Sequence, residues 1–207
     1  MASDAPKPKD LFLIEFLARD PAAPALSEAL AAMRRDPALS IMEFKAVQAL
    51  SEPRVTLYLG GVPFAARTRV VARAQEHLSK LADGGVEVSR LSAQNMLAGA
   101  SYGAASSHHL VVRTNVPEGA GHELERWYDE EHLIGLAAVP GCTLAQRLIS
   151  LDALPRYYAC YDIVSPQVIE TPTWLKVRET EWSSHVRPTF RDTRRVVSRR
   201  IDQETAS

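Results

Sequence analysis

The chain has 207 residues, 46% hydrophobic and 24% charged, a globular balance that excludes a disordered polar chain. Lys and Arg total 24 against 25 Asp and Glu, a formal net charge of -1, which gives no general reason to expect nucleic acid or an anionic membrane as partner. Cys142 and Cys160 form no CxxC pair, and so few cysteines point to a reducing, cytoplasmic compartment. No apolar run reaches the roughly 18 residues of a membrane helix, and the opening MASDAPKPKD lacks the apolar core of a signal peptide.

Leu11–Leu17 (LFLIEFL) is an apolar run of strand length, rich in Phe and Ile. Residues 24–35 (PALSEALAAMRR) are Ala- and Leu-dominated and read as a helix. Residues 41–50 and 54–59 (RVTLYL) read as strands on either side of Pro53. Pro63 suits the first turn of a helix running to about residue 82. After the turn Asp83-Gly84-Gly85, residues 86–91 make a fourth strand. The order is β-α-β-β-α-β, the split βαβ motif.

The same order recurs. Residues 109–116 (HLVVRTNV) are a strand, 119–136 have helical periodicity, and Pro140-Gly141 turns the chain. Residues 142–150 and 156–164 are strands, 166–187 helical with a restart at Pro172, and 194–201 (RRVVSRRI) the last strand. Both halves place Pro-Arg before their third strand, at Pro53-Arg54 and Pro155-Arg156. Tyr157, Ala159, Tyr161 and Ile163 alternate with Tyr158, Cys160 and Val164, so this strand is apolar on both faces and is expected to be buried on both. A bare sheet face needs a partner, and the other half supplies one. The fold class expected is α+β, with two tandem ferredoxin-like halves packed sheet to sheet as a dimeric α+β barrel. The boundaries are a disordered tail at 1–9, a first half at 10–94, a linker at 95–107, a second half at 108–202 and a tail at 203–207.

The segment Arg126-Trp127-Tyr128-Asp129-Glu130-Glu131-His132-Leu133, followed by Val139-Pro140-Gly141, concentrates chemistry. On a regular helix Leu124, Tyr128 and His132 share one face, with Trp127 and Glu131 on the neighbouring stripe. His132 then points between helix and sheet, where a histidine can act as general acid/base near neutral pH. The competing reading is a core histidine held by a backbone carbonyl.

The pattern WYDEEHL, a short spacer and VPG resembles the EthD-like members of the dimeric α+β barrel superfamily. The later strand with Tyr157, Tyr158 and Tyr161 and the helix opening PTWLKV are similar too. The resemblance covers residues 108–201, and residues 10–93 only in element order. The first half's helix has no aromatic and no histidine, which implies one working pocket and one degenerate, structural half. The family implies cofactor-free lyases, isomerases, dehydratases or cyclases acting on small aromatic, polyketide or lactone-like compounds. Other members of the superfamily bind haem, and pairing into homodimers is a family habit.

The candidate catalytic groups are His132 as acid/base, with Glu131 or Tyr128 orienting it, and His185. The candidate substrate-binding groups are Trp127, Arg147, Tyr161, Trp174, Arg178 and Tyr102. Trp174, Arg178, Glu181 and His185 fall on one continuous helical face, where the ordinary reading of Arg178 and Glu181, as an ion-paired surface, is the favoured one. Arg147, mid-strand in TLAQRLI, needs a partner or water; it binds a substrate anion or faces solvent. Tyr102 can cover a pocket. His108 and His109 point to opposite strand faces and do not suit one metal. The cofactor expectation is none, with haem a minor possibility through His132 or His185. The arginines at 187, 191, 194, 195, 199 and 200 fall on both strand faces and read as solvated or salt-bridged rather than as an anion track. The partner expected is a small-molecule substrate, with no nucleic acid and no membrane; the tandem repeat makes either a pseudo-dimer that works as a monomer or a true homodimer.

Overall fold

In the computed structural model, which describes residue 7 and residues 9–202, the strands are β1 (Leu11–Leu17), β2 (Glu43–Ala49), β3 (Arg54–Gly60), β4 (Glu87–Ala98), β5 (His108–Asn115), β6 (Cys142–Ser150), β7 (Tyr157–Ile163) and β8 (Arg191–Arg200). The chain divides into two units, residues 93–197 and residues 9–92 with 198–202. Strands β4 and β8 each run from one unit into the other. The tails expected at 1–9 and 203–207 lie outside the described residues, Lys7 and Lys9 excepted.

In the unit of residues 9–92 the antiparallel order is β4-β1-β3-β2, with the end of β8 beside β2. The odd and even positions of β1 diverge as a pleat requires. Phe12, Ile14 and Phe16 join the cluster under helices α1 (Pro24–Arg34) and α2 (Arg67–Leu78). Leu11, Leu13 and Glu15 on the other alternation are also buried. The helices bury Leu26, Leu30 and Met33 from α1 and Val70, Ala74 and Leu78 from α2, the i, i+3/i+4 stripe that an amphipathic helix turns inward.

A polar clasp joins these helices. Asp36, just beyond α1, accepts from Arg73 Nε at 2.5 Å and bonds His77 Nε2 at 2.9 Å, both on α2. Burial alone would raise the Asp36 pKa, but the bonds from His77 and Arg73 outweigh it and hold the carboxyl at about 2.

In the unit of residues 93–197, β7 is central between β5 and β6. Register sets Leu110 opposite Tyr161 and Val112 opposite Ala159, so all four share one face. Over that face lie α3 (Gly121–Trp127), a π-helical turn (Tyr128–His132), α4 (Leu133–Ala137), α5 (Pro172–Arg178) and α6 (Glu181–Val186).

Three expectations change. Strand β4 runs to Ala98 rather than ending at 91, so the linker expected from 95 begins only after residue 98. Its Ser, Ala, Gln and Asn residues have low strand propensity, and sheet pairing overrides it. The long helix at 119–136 is split by the π-turn. The helix at 166–187 breaks as well: Thr180 turns extended and its side chain caps Ser183 N, which starts α6 anew.

Replacing Asp36 with Asn keeps the shape but removes the charge that Arg73 and His77 share. It should cost about 1–2 kcal/mol of stability, read as a lower urea midpoint at pH 7. The difference should shrink as pH falls from about 4 towards 2, where wild-type Asp36 itself becomes protonated.

Candidate active site

The π-turn decides where His132 goes. It inserts one residue into the helical register: the N–H of Leu133 reaches back to the Tyr128 carbonyl, an i to i−5 bond. Residues five apart then stack. Trp127 lies face to face with His132, ring centroids 4.1 Å apart and planes 19° apart. Tyr128 meets the same imidazole edge-on at 5.6 Å. Trp127 is fixed in turn by its indole N–H, which donates to Ser183 Oγ on α6 at 3.3 Å.

His132 is 7% exposed. One ring nitrogen bonds the Val177 carbonyl on α5, while Nδ1 has no hydrogen-bond partner. A carbonyl only accepts, so the nitrogen facing Val177 carries the proton and Nδ1 keeps a bare lone pair. Burial, together with the nearby positive charges of Arg187 and Arg178, pushes the imidazole pKa down to about 3. The ring is therefore neutral. Gly135 makes the Val177 contact possible: a Cβ there would lie 2.7 Å from Val177 Cγ1, so only glycine lets α4 and α5 approach this closely.

Beside His132 is a cavity of about 110 Å³. Leu110, Val112, Leu136, Tyr161, Trp174 and Phe190 give it apolar and aromatic walls. Tyr161 and Trp174 pack edge to face at 5.3 Å. The Tyr161 hydroxyl, like His132 Nδ1, is buried without a partner, and burial holds its pKa well above that of an ordinary tyrosine. Arg178, Arg187 and Arg195 also line the cavity. Arg178 is half-buried, whereas Arg187 and Arg195 keep exposed surface, so the cationic end is the one that meets solvent.

Of the residues singled out in the sequence, His132, Trp127, Tyr128, Tyr161, Trp174 and Arg178 come together at this cavity. The others do not line it. Glu131 accepts from the Thr180 hydroxyl at 2.6 Å, so the Val177 carbonyl and Trp127 orient His132 in its place. His185 is exposed, with Nδ1 bonded to its own helix at the Glu181 carbonyl. The break at Thr180 interrupts the continuous face expected from Trp174 to His185. Arg147 is 2% exposed; it pairs with Asp129 at 3.0 Å and lies over the Tyr128 ring at 5.0 Å, bracing the π-turn from the sheet. Tyr102 is 55% exposed in a loop.

Two lining residues, Arg187 and Arg195, were read from sequence as solvated or salt-bridged. Both do reach solvent, but neither forms a salt bridge to a carboxylate among the described residues, and both line the cavity. Strand alternation separates Arg194 from Arg195 but cannot show that the α5–α6 break returns the chain towards Arg178. Among the described residues no cluster of His, Cys, Asp and Glu could hold a metal, and no helix is long and apolar enough to cross a membrane.

The sequence matches no family model and no curated protein. Solved structures do match. A monooxygenase-like protein of Fusobacterium nucleatum aligns with TM-score 0.68 and 7% identity over 93% of this chain and 92% of its own. A monooxygenase-like protein of Lactobacillus acidophilus gives TM-score 0.66 and 12% identity over 94% and 95%. These likenesses show an α+β fold shared with dimeric α+β barrel proteins. A haem-degrading enzyme of Listeria monocytogenes also aligns, with TM-score 0.52 and 9% identity over 92% and 99% of the two chains. These likenesses lend no support to the expectation that the chain works without a cofactor.

Acid should weaken this unit through His132. The folded ring titrates at about 3 and an unconstrained one at 6.5. Between those values the unfolded chain takes up a proton that the folded chain refuses. The contribution is complete above about pH 6.5 and is lost as pH falls towards 3. The urea midpoint of the wild type should thus drop more between pH 7 and 4.5 than that of His132→Gln. Gly135→Ala should push Val177 away and destabilise the fold by about 1–3 kcal/mol, measured by urea unfolding at pH 7.

Proposed function

We propose that residues 108–201 form the working half of an EthD-like protein with two tandem ferredoxin-like halves, and that His132 performs acid/base chemistry on a small aromatic, polyketide or lactone-like compound. The reaction class is elimination, isomerisation or dehydration. The observation that carries this reading is the neutral, buried His132 with an unpartnered Nδ1 beside an aromatic-walled cavity.

The chemistry follows from the protonation states. Nδ1 accepts a proton from the substrate. The Tyr161 hydroxyl, still protonated because it is buried, donates to the oxygen on which negative charge develops. The Val177 carbonyl and the Trp127 face hold the imidazole in one tautomer and one plane. An imidazole with a pKa of about 3 is a weak base in the empty pocket. An anionic group near Arg178 and Arg187 would offset the charges that depress that pKa and raise it towards the ordinary range. The first half, whose α1 buries Leu26, Leu30 and Met33, serves as scaffold. Pairing of two copies in a reducing cytoplasm fits this reading.

Haem binding is the second reading, favoured by the likeness to a haem-degrading enzyme. The residues here do not suit it. The cavity of about 110 Å³ is well below the roughly 300 Å³ at which pockets for drug-sized ligands begin. No step is therefore assigned to haem.

The test is turnover by wild type and His132→Gln on a compound found by screening small aromatic and lactone substrates. Loss of about 100-fold or more in kcat with the fold intact is expected for a general base. Unchanged kcat would overturn the role. A Soret band of defined stoichiometry on titration with haem would favour the second reading.

A further inference from the structure

The proposed reaction does not explain why three guanidinium groups meet at one small cavity. Arg178 ends α5, Arg187 follows α6, and Arg195 lies on β8. All three line the same cavity. Arg187 Nη1 donates to the Arg178 carbonyl at 3.2 Å, which ties the two main-chain segments together. No salt bridge joins any of the three to a carboxylate among the described residues. Glu179 adds one partly offsetting charge near Arg178.

Crowding like charges costs free energy unless an anion offsets it. The cost is visible: partial burial and the charge of Arg187 lower the pKa of Arg178, and partial burial with the charges of Arg178 and Arg187 lowers that of Arg195. Arginine, with its planar fork, suits a carboxylate held by two parallel hydrogen bonds.

The inner part of the cavity has the opposite character. Trp127, Tyr161, Trp174 and Phe190 offer ring faces and edges. The volume of about 110 Å³ compares with the engineered apolar cavity of about 150 Å³ that accepts benzene. His132 and Tyr161, whose Nδ1 and hydroxyl are buried without hydrogen-bond partners, are also among the residues that line the cavity. An occupant thus needs a compact ring at one end and an anion at the other.

We infer that the cavity takes a single-ring aromatic carboxylate, with its ring between Trp127, Tyr161 and Trp174 and its carboxylate held by Arg178, Arg187 and Arg195. This rests on the reading of the cavity as the substrate site, and it adds the substrate class and three residues that select it.

The experiment is calorimetric titration of the full chain with benzoate, salicylate and phenylacetate, and with benzamide as a neutral match to benzoate. At least one carboxylate should bind, and benzamide should bind about tenfold or more weakly than benzoate. Arg178→Gln and Arg195→Gln should each weaken the bound carboxylate about tenfold, and raising the salt concentration should weaken it further. No binding by any of the three carboxylates, equal binding of benzoate and benzamide, or unchanged affinity in both arginine variants would overturn the inference. His132→Gln separates the two readings. Carboxylate binding that survives in this variant, alongside unchanged turnover, sinks the acid/base role alone. Turnover of a neutral substrate that His132→Gln abolishes, in a chain that binds no carboxylate, sinks the carboxylate inference alone.

Discussion

The stack of Trp127 on His132 is the contact on which the candidate site depends, and it exists because one turn of helix is π rather than α. An α-helical register brings residues four apart together. Here residues five apart meet, and the extra residue rotates His132 under the indole. The rest follows in sequence. Ser183 fixes the indole, Gly135 admits α5, α5 brings the Val177 carbonyl to the ring, and that carbonyl assigns the imidazole proton. Arg147, paired with Asp129 and lying over Tyr128, supports the turn from the sheet.

Electrostatics and shape divide the cavity between them. Burial among the aromatic walls keeps His132 and Tyr161 in their neutral forms. The three arginines gather at the cavity without the carboxylates that usually neutralise such a group, and cations that repel one another gain from an anion between them. Arg187 and Arg178 also depress the His132 pKa, so occupancy of the cavity by an anion and the basicity of the imidazole are physically coupled.

The unit of residues 9–92 packs its helices with aliphatic side chains. Its α1 packs three aliphatic side chains against Phe12, Ile14 and Phe16, and its polar cluster, Asp36 with Arg73 and His77, fastens one helix to the other. A regular α-helix suffices for packing. In the unit of residues 93–197 the helices are shorter and broken, and the π-turn places Tyr128 and His132 at the cavity.

The sequence alone determined the strands and their order along the chain, and it marked one segment as the candidate for chemistry. Two-residue alternation sets which side chains face the helices, and a cluster such as Trp127-Tyr128-Glu131-His132 is visible to the eye. It also marked Trp127, Tyr128, Tyr161 and Trp174 as candidates to surround His132, and the folded chain brings these side chains to one cavity. Only the tertiary structure decided the rest. Helical periodicity assumes an unbroken α register, and neither the π-turn at Tyr128 nor the restart at Thr180 announces itself locally, because both are stabilised by contacts distant in sequence. Only the folded chain shows Arg187 and Arg195 lining the cavity while Glu131 and His185 do not.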